Sequence, residues 1–155
     1  MEPSRSAHDY ATEIGQARDR LVKLAERCDD EQWCAHLRNS DDQRPIGVII
    51  DHVADAYAYM GGWMRVILDG QTPQVSTELV DELNARHATS AASVTREEAI
   101  AHLRQEGDAL IDLVRPLRAE DLELGGGRVQ RFAEIAIRHA DAHRSEIEEA
   151  LSSGS

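Results

Sequence analysis

The sequence predicts an all-α protein, a four-helix bundle, on three observations. Apolar residues recur at three- and four-residue spacings along nearly the whole chain. No stretch shows the strict alternation of a half-buried strand. The breaks in the pattern leave four amphipathic segments. With 155 residues the chain amounts to one domain, 1–155, large enough to bury one continuous apolar core. Aromatic residues make up only 4% of it, so Ala, Leu, Ile and Val must fill most of that core.

The first segment places Ile14, Ala17, Leu21, Leu24, Ala25 and Cys28 on one stripe. Asp29-Asp30 interrupts it, and Trp33 and Leu37 suggest a short helical turn in the linker. The second helix is expected to open at Pro45, whose missing N–H has no helical partner in a first turn. Its stripe reads Val48, Ile49, His52, Ala56, Tyr59, Trp63, Val66 and Ile67, and Gly70 is placed to end it in a left-handed conformation.

From Gly70 to Ser93 runs a long connection with a short helix expected over Thr77 to His87. Antiparallel neighbours need only a few linking residues, so a crossover this long points to parallel second and third helices. The third helix starts at a capping box, Thr95-Arg-Glu-Glu98, and carries Ile100, Leu103, Gly107, Leu110, Val114 and Leu117 before Pro116 marks its end. After a flexible Gly125-Gly-Gly127, the fourth helix carries Val129, Phe132, Ala136, His139, Ala140, His143, Ile147 and Leu151.

Charge and composition narrow the function classes. The net charge is −12, from 29 acids against 17 bases, and no Lys/Arg cluster offsets it, so no nucleic-acid partner is expected. No apolar run approaches the ~20 residues of a membrane span and no N-terminal apolar run precedes a cleavage site, so a cytoplasmic protein off the membrane is expected. Cys28 and Cys34 have neither CxxC nor zinc-finger spacing and read as reduced thiols, with no histidine tied to them as an activating base. There is no GxSxG, and Gly125-Gly-Gly127 lacks the Lys-Ser/Thr of a phosphate cradle.

The histidines carry the sharper signal. His8, His36, His87 and His102 fall before a helix, in linkers or off a stripe, and read as solvated. His52 instead lies at the centre of an apolar stripe, and His139 and His143 lie within another. Being four apart, the latter two share one helix face, as in the HxxxH pairs of zinc enzymes. Three buried imidazoles leave six ring nitrogens to satisfy, at ~1–3 kcal/mol for each group left unpaired, and one metal satisfies three of them. The alternative is three hydrogen-bonded core histidines.

These residues resemble the DinB/YfiT-like family of four-helix metalloproteins, which includes mycothiol- and bacillithiol-linked enzymes. Asp30-Glu-Gln-Trp33 is similar to the family's turn after the first helix. Arg44-Pro-Ile-Gly-Val-Ile-Ile-Asp-His52 is similar to the stretch ending in its first metal histidine, and His139-Ala-Asp-Ala-His143 to its C-terminal HxxxH. Val80-Asp-Glu-Leu-Asn84 resembles the crossover of mycothiol-dependent maleylpyruvate isomerase. Some of those relatives carry Glu in place of the first HxxxH histidine, so this is the all-histidine version. The resemblance implies an up-down-down-up bundle, homodimerisation, and a divalent metal on His52, His139 and His143.

Three neutral ligands leave the metal's charge uncompensated at an open position, which favours capture of a thiolate or activation of water. The expected activity is a metal-dependent thiol S-transferase or isomerase that joins a low-molecular-weight thiol such as mycothiol to a small electrophile. The alternatives are a metal-dependent hydrolase and a non-catalytic, stress-related metal-binding bundle. Zn or Ni is the expected metal, though Mn and Fe also accept three imidazoles. Tyr59 and Trp63 extend the His52 stripe and either wall a substrate pocket or pack as core. Asp55 and Asp51 flank His52 and either orient its free ring N–H or face solvent.

Overall fold

The computed structural model describes residues 5–37 and 40–153. Its helices are α1 (Ala7–Arg27), α2 (Asp30–Cys34), α3 (Ile46–Leu68), α4 (Thr77–Ser90), α5 (Arg96–Val114), α6 (Ala119–Leu122) and α7 (Leu124–Ser153). The long ones, α1, α3, α5 and α7, form the bundle, and no strand accompanies them among the described residues.

Paired residues fix the running directions. Gly15, Arg18 and the Cys28 carbonyl on α1 and its C-terminal cap meet Ile111, Asp108 and Arg96 on α5, an antiparallel match. Tyr10, Arg20 and Arg27 meet Glu134, Asp141 and Glu148 on α7, which is parallel. On α3, Asp51 meets His102 and Gly61 faces Leu110 of α5, again parallel. His52 and Trp63 on α3 meet His139 and Phe132 on α7, which is antiparallel. The bundle is therefore up-down-down-up, with α3 and α5 parallel as the long crossover requires.

Local chemistry sets the helix ends. Ser6 and Asp9, Asp29 and Gln32, and Thr95 and Glu98 form reciprocal capping boxes for α1, α2 and α5. Pro45 sits one position earlier than expected, as the N-cap of α3 in an extended conformation, so the helix begins at Ile46. Gly70 (φ 83°) closes α3: its N–H reaches the Ile67 carbonyl, and the Gln71 N–H reaches that of Val66. This double bond is the Schellman pattern, which only a left-handed residue permits without strain. Gly125, Gly126 and Gly127 all hold positive φ and form a left-handed turn opening α7, in place of a flexible linker. The crossover helix α4 extends to Ser90, three residues beyond its expected end.

The stripe of α1 buries as expected, those of α5 and α7 bury apart from the half-buried Ile100, Leu117, His139, His143 and Leu151, and α3 buries more than a stripe. Ile46, Ile50, Val53, Ala54, Tyr57, Met60 and Met64 are interior along with Val48, Ile49 and Ala56. The reason is its position: α3 packs against α5 on one side and α7 on the other, with α4 and α2 also on it. Trp33 of α2 wedges over Gly47, where any Cβ would collide with the indole, and its Nε1–H donates to the Val94 carbonyl at 2.9 Å. The loop between α2 and α3 is tied at its base, because Ile46 donates to the Ala35 carbonyl at 2.8 Å and His36 bridges to Pro45.

Candidate metal centre

His52 stands in the second turn of α3, and His139 and His143 stand one turn apart on α7. The antiparallel packing of those helices brings the three rings together. His139 Nε2 lies 3.1 Å from His52 Nε2 and 3.1 Å from His143 Nε2, and one nitrogen from each ring falls within 4.8 Å of the other two. The rings meet edge to face, with centroids 4.6–5.5 Å apart. His52 is buried and the other two are partly so.

These distances suit a common ion. Two nitrogens at ~2.1 Å from one cation, at tetrahedral to octahedral angles, stand about 3.0–3.4 Å apart. Without a cation the arrangement is poorly satisfied. A neutral imidazole carries one ring N–H, so His139 Nε2 cannot donate to both neighbours. The Nδ1 atoms of all three rings are buried and without hydrogen-bond partners. Glu146 Oε1 stands 3.4 Å from His143 Nδ1. His52, His139 and His143 thus form a group that could hold a metal ion through Nε2.

The electrostatics favour unprotonated, ligand-ready rings. Burial, then the neighbouring His139, depresses His52 to about 2, and burial, then His143, depresses His139 to about 4. Burial also lowers His143. The Arg44 cation acts in the same direction on all three.

Asp51, His87 and His102 form a second polar cluster. The sequence suggested solvated histidines and favoured a solvated Asp51. Instead Asp51 is 5% exposed and His87 6% exposed, and the carboxylate bridges His87 Nε2 on α4 at 2.7 Å and His102 Nδ1 on α5 at 2.9 Å. Burial opposes the Asp51 charge, but bonds from His102 and His87 outweigh it and hold the carboxyl at about 2. His87 is the buried residue of α4, so the crossover is anchored by a polar bond rather than an apolar face. Nothing in the sequence around His87 carries that signal, because its partner lies 36 residues away.

Asp55 is half-buried and lines a cleft of about 540 Å³ between α3, α4 and α5, together with Asp51, His87, Glu98 and His102. Neither it nor Asp51 is bonded to His52 Nδ1. Tyr59 and Trp63 are half-buried and stack with ring centroids 4.9 Å apart, and Trp63 continues onto Phe132 at 5.6 Å. Burial, then the Asp55 charge, pushes the Tyr59 phenol up to about 12, so it stays protonated at neutral pH. Glu146 escaped the sequence reading although its i+3 spacing from His143 could have shown it. His8 and His36 are exposed as expected, and Cys28 and Cys34 are unpaired, the first buried and the second exposed. Among the described residues no helix is long and apolar enough to cross a membrane.

An all-α bundle whose facing helices converge three imidazoles defines a helical protein with a candidate mononuclear metal site. The chain belongs to the DinB superfamily, whose family model matches residues 13–147. Among solved structures it is similar to one described as the sibling lethal factor precursor DfsB, at 19% identity over 97% of each chain with a TM-score of 0.75. That likeness is one of fold. No curated protein matches the chain.

Proposed function

We propose that His52, His139 and His143 hold one divalent metal ion, zinc or nickel. On this reading the protein is a cytoplasmic metal-dependent thiol S-transferase or isomerase, using a low-molecular-weight thiol such as mycothiol on a small electrophile. The observation that carries it is the convergence of the three imidazoles, His139 Nε2 standing 3.1 Å from the Nε2 of both His52 and His143, with no carboxylate among the donors. Membership of the DinB superfamily supports the metal, and the likeness of Val80–Asn84 to the isomerase crossover supports the thiol.

A divalent ion held there supplies a Lewis acid with its full charge available to the remaining ligand. The protein's own residues do the rest. The depressed histidines present lone pairs at neutral pH, and Glu146 stands beside His143 Nδ1 to accept its N–H when the ring is drawn to an ion. Tyr59 and Trp63 form the aromatic wall against which the electrophile is positioned, and the Asp55 charge helps keep the Tyr59 phenol protonated. The partners are a thiol and an electrophile, and the working unit is a homodimer.

The test pairs metal-loaded protein with mycothiol-type thiols and a panel of electrophiles, maleylpyruvate and epoxides among them. Metal-dependent turnover with any pair supports the enzyme. Tight metal binding with no thiol response and no hydrolytic turnover would leave the non-catalytic metal-binding bundle in its place.

A further inference from the structure

Asp51 and His52 are neighbours in the second turn of α3 and take different partners. The buried Asp51 carboxylate ties two helices at once, accepting from His87 Nε2 on α4 at 2.7 Å and from His102 Nδ1 on α5 at 2.9 Å. A carboxylate only accepts, so His87 carries its proton on Nε2. The ring held in this way packs on His52, with centroids 5.9 Å apart and planes tilted by 57°. A closed circuit results. It runs from Asp51 across the hydrogen bond to His87, from that ring to His52, and back to Asp51 through one peptide bond.

His52 needs such a contact. A metal-binding histidine is ordinarily oriented by a hydrogen bond from its second ring nitrogen. The Nδ1 of His52 is enclosed without a hydrogen-bond partner, so packing alone fixes the rotation of its ring. Among the described residues the rings packed on it are those of His139, His143 and His87. The first two belong to the donor group and would turn toward an ion themselves. His87 lies outside that group, and its Nε2 is already committed to Asp51. It is the one of the three held in place by something other than the ion.

We propose that His87 is a positioning residue for the metal centre: held by Asp51, its ring fixes that of His52 and so couples occupancy of the metal site to the docking of α4. The inference rests on the metal-centre reading above. A ligand ring fixed before the ion arrives loses less freedom on binding, which tightens the site. Linkage makes the effect reciprocal, so the factor by which docked His87 tightens the metal is the factor by which the metal tightens the docking of α4. Occupancy of the triad is thereby transmitted to the crossover helix, which contributes no donor to it.

The test uses the full chain and two readouts: zinc affinity by competition with a chromophoric chelator, and hydrogen exchange of residues 77–90 with and without zinc. His87→Ala should weaken zinc binding roughly tenfold. In the parent, zinc should slow the exchange of α4 by a similar factor, whereas in His87→Ala it should leave α4 unchanged. His87→Phe keeps a ring against His52 and should bind zinc within about threefold of the parent. Should His87→Ala not fold, His87→Gln removes the ring while its amide can still donate to Asp51, and it should weaken zinc by the same factor. Loss of α4 protection in His87→Ala with zinc affinity unchanged overturns the proposal, since His87 then anchors α4 and does nothing more. Zinc binding by the parent without slower exchange in α4 overturns it too, as does a His87→Phe protein no tighter than the variants without a ring. Each of these leaves the metal centre standing. No zinc uptake by the parent removes both.

Discussion

His139 shares the centre of the triad, its Nε2 being the atom within 3.1 Å of both neighbours. His139→Ala should abolish tight metal binding, measured by isothermal titration with zinc. The metal-free variant should remain folded, since the change also removes a buried, unpartnered Nδ1. The same rings set a pH dependence. His52 and His139 titrate at about 2 and about 4 in the folded state, against an unperturbed 6.5. Below 6.5 the unfolded chain binds protons that the folded rings refuse, so stability of the metal-free protein falls as pH drops from 6.5 towards 4 and is fully present above 6.5. Each histidine contributes a slope of up to ~1.4 kcal/mol per pH unit in that window. Urea melts from pH 7.5 to 4.5 should show this fall, and His139→Gln should flatten it. A parent slope as flat as the variant's would contradict the assignment.

The crossover element offers a different kind of test. Helix α4 is held by the bond from His87 to Asp51, and its remaining surface is exposed or half-buried. His87→Ala should strip hydrogen-exchange protection from residues 77–90 while α1 and α5 keep theirs, because local opening follows the loss of a local anchor. Asp51→Asn should cost more, about 1–3 kcal/mol globally, since both His87 and His102 then lose a charged acceptor inside the bundle. In the first turn of α3, Gly47→Ala should destabilise the protein through collision with Trp33 and loosen the α2 turn. Denaturant midpoints with Trp fluorescence would read both effects.

At the scale of the whole molecule, metal binding is expected to stabilise the fold without creating it. The core formed by Ile14, Leu21, Ile49, Met64, Leu103, Leu110 and Ile147 is complete without any ligand. An ion at a hundredfold excess over its Kd adds ~2.7 kcal/mol by mass action. Chelation should therefore lower the Tm by several degrees while helical circular dichroism at room temperature persists. Collapse of the helical signal on chelation would show that the ion is structural.

The sequence by itself determined the four long helices, the parallel relation of α3 and α5, and the placement of His52, His139 and His143 on apolar stripes, but it missed the buried His87. Each of these follows from information local to the chain: periodicity, caps, the length of the crossover, and an i,i+4 pair on an apolar stripe. The fine geometry of Pro45 and of Gly125–Gly127 shifted only by a residue or by handedness, because several backbone solutions fit the same residues. What tertiary structure alone decided was pairing at a distance. His87 and His102 read as surface residues until α4 and α5 close on Asp51. A polar residue's environment is set by whichever element packs opposite it. A sequence shows one side of that contact, and only the folded bundle supplies the other.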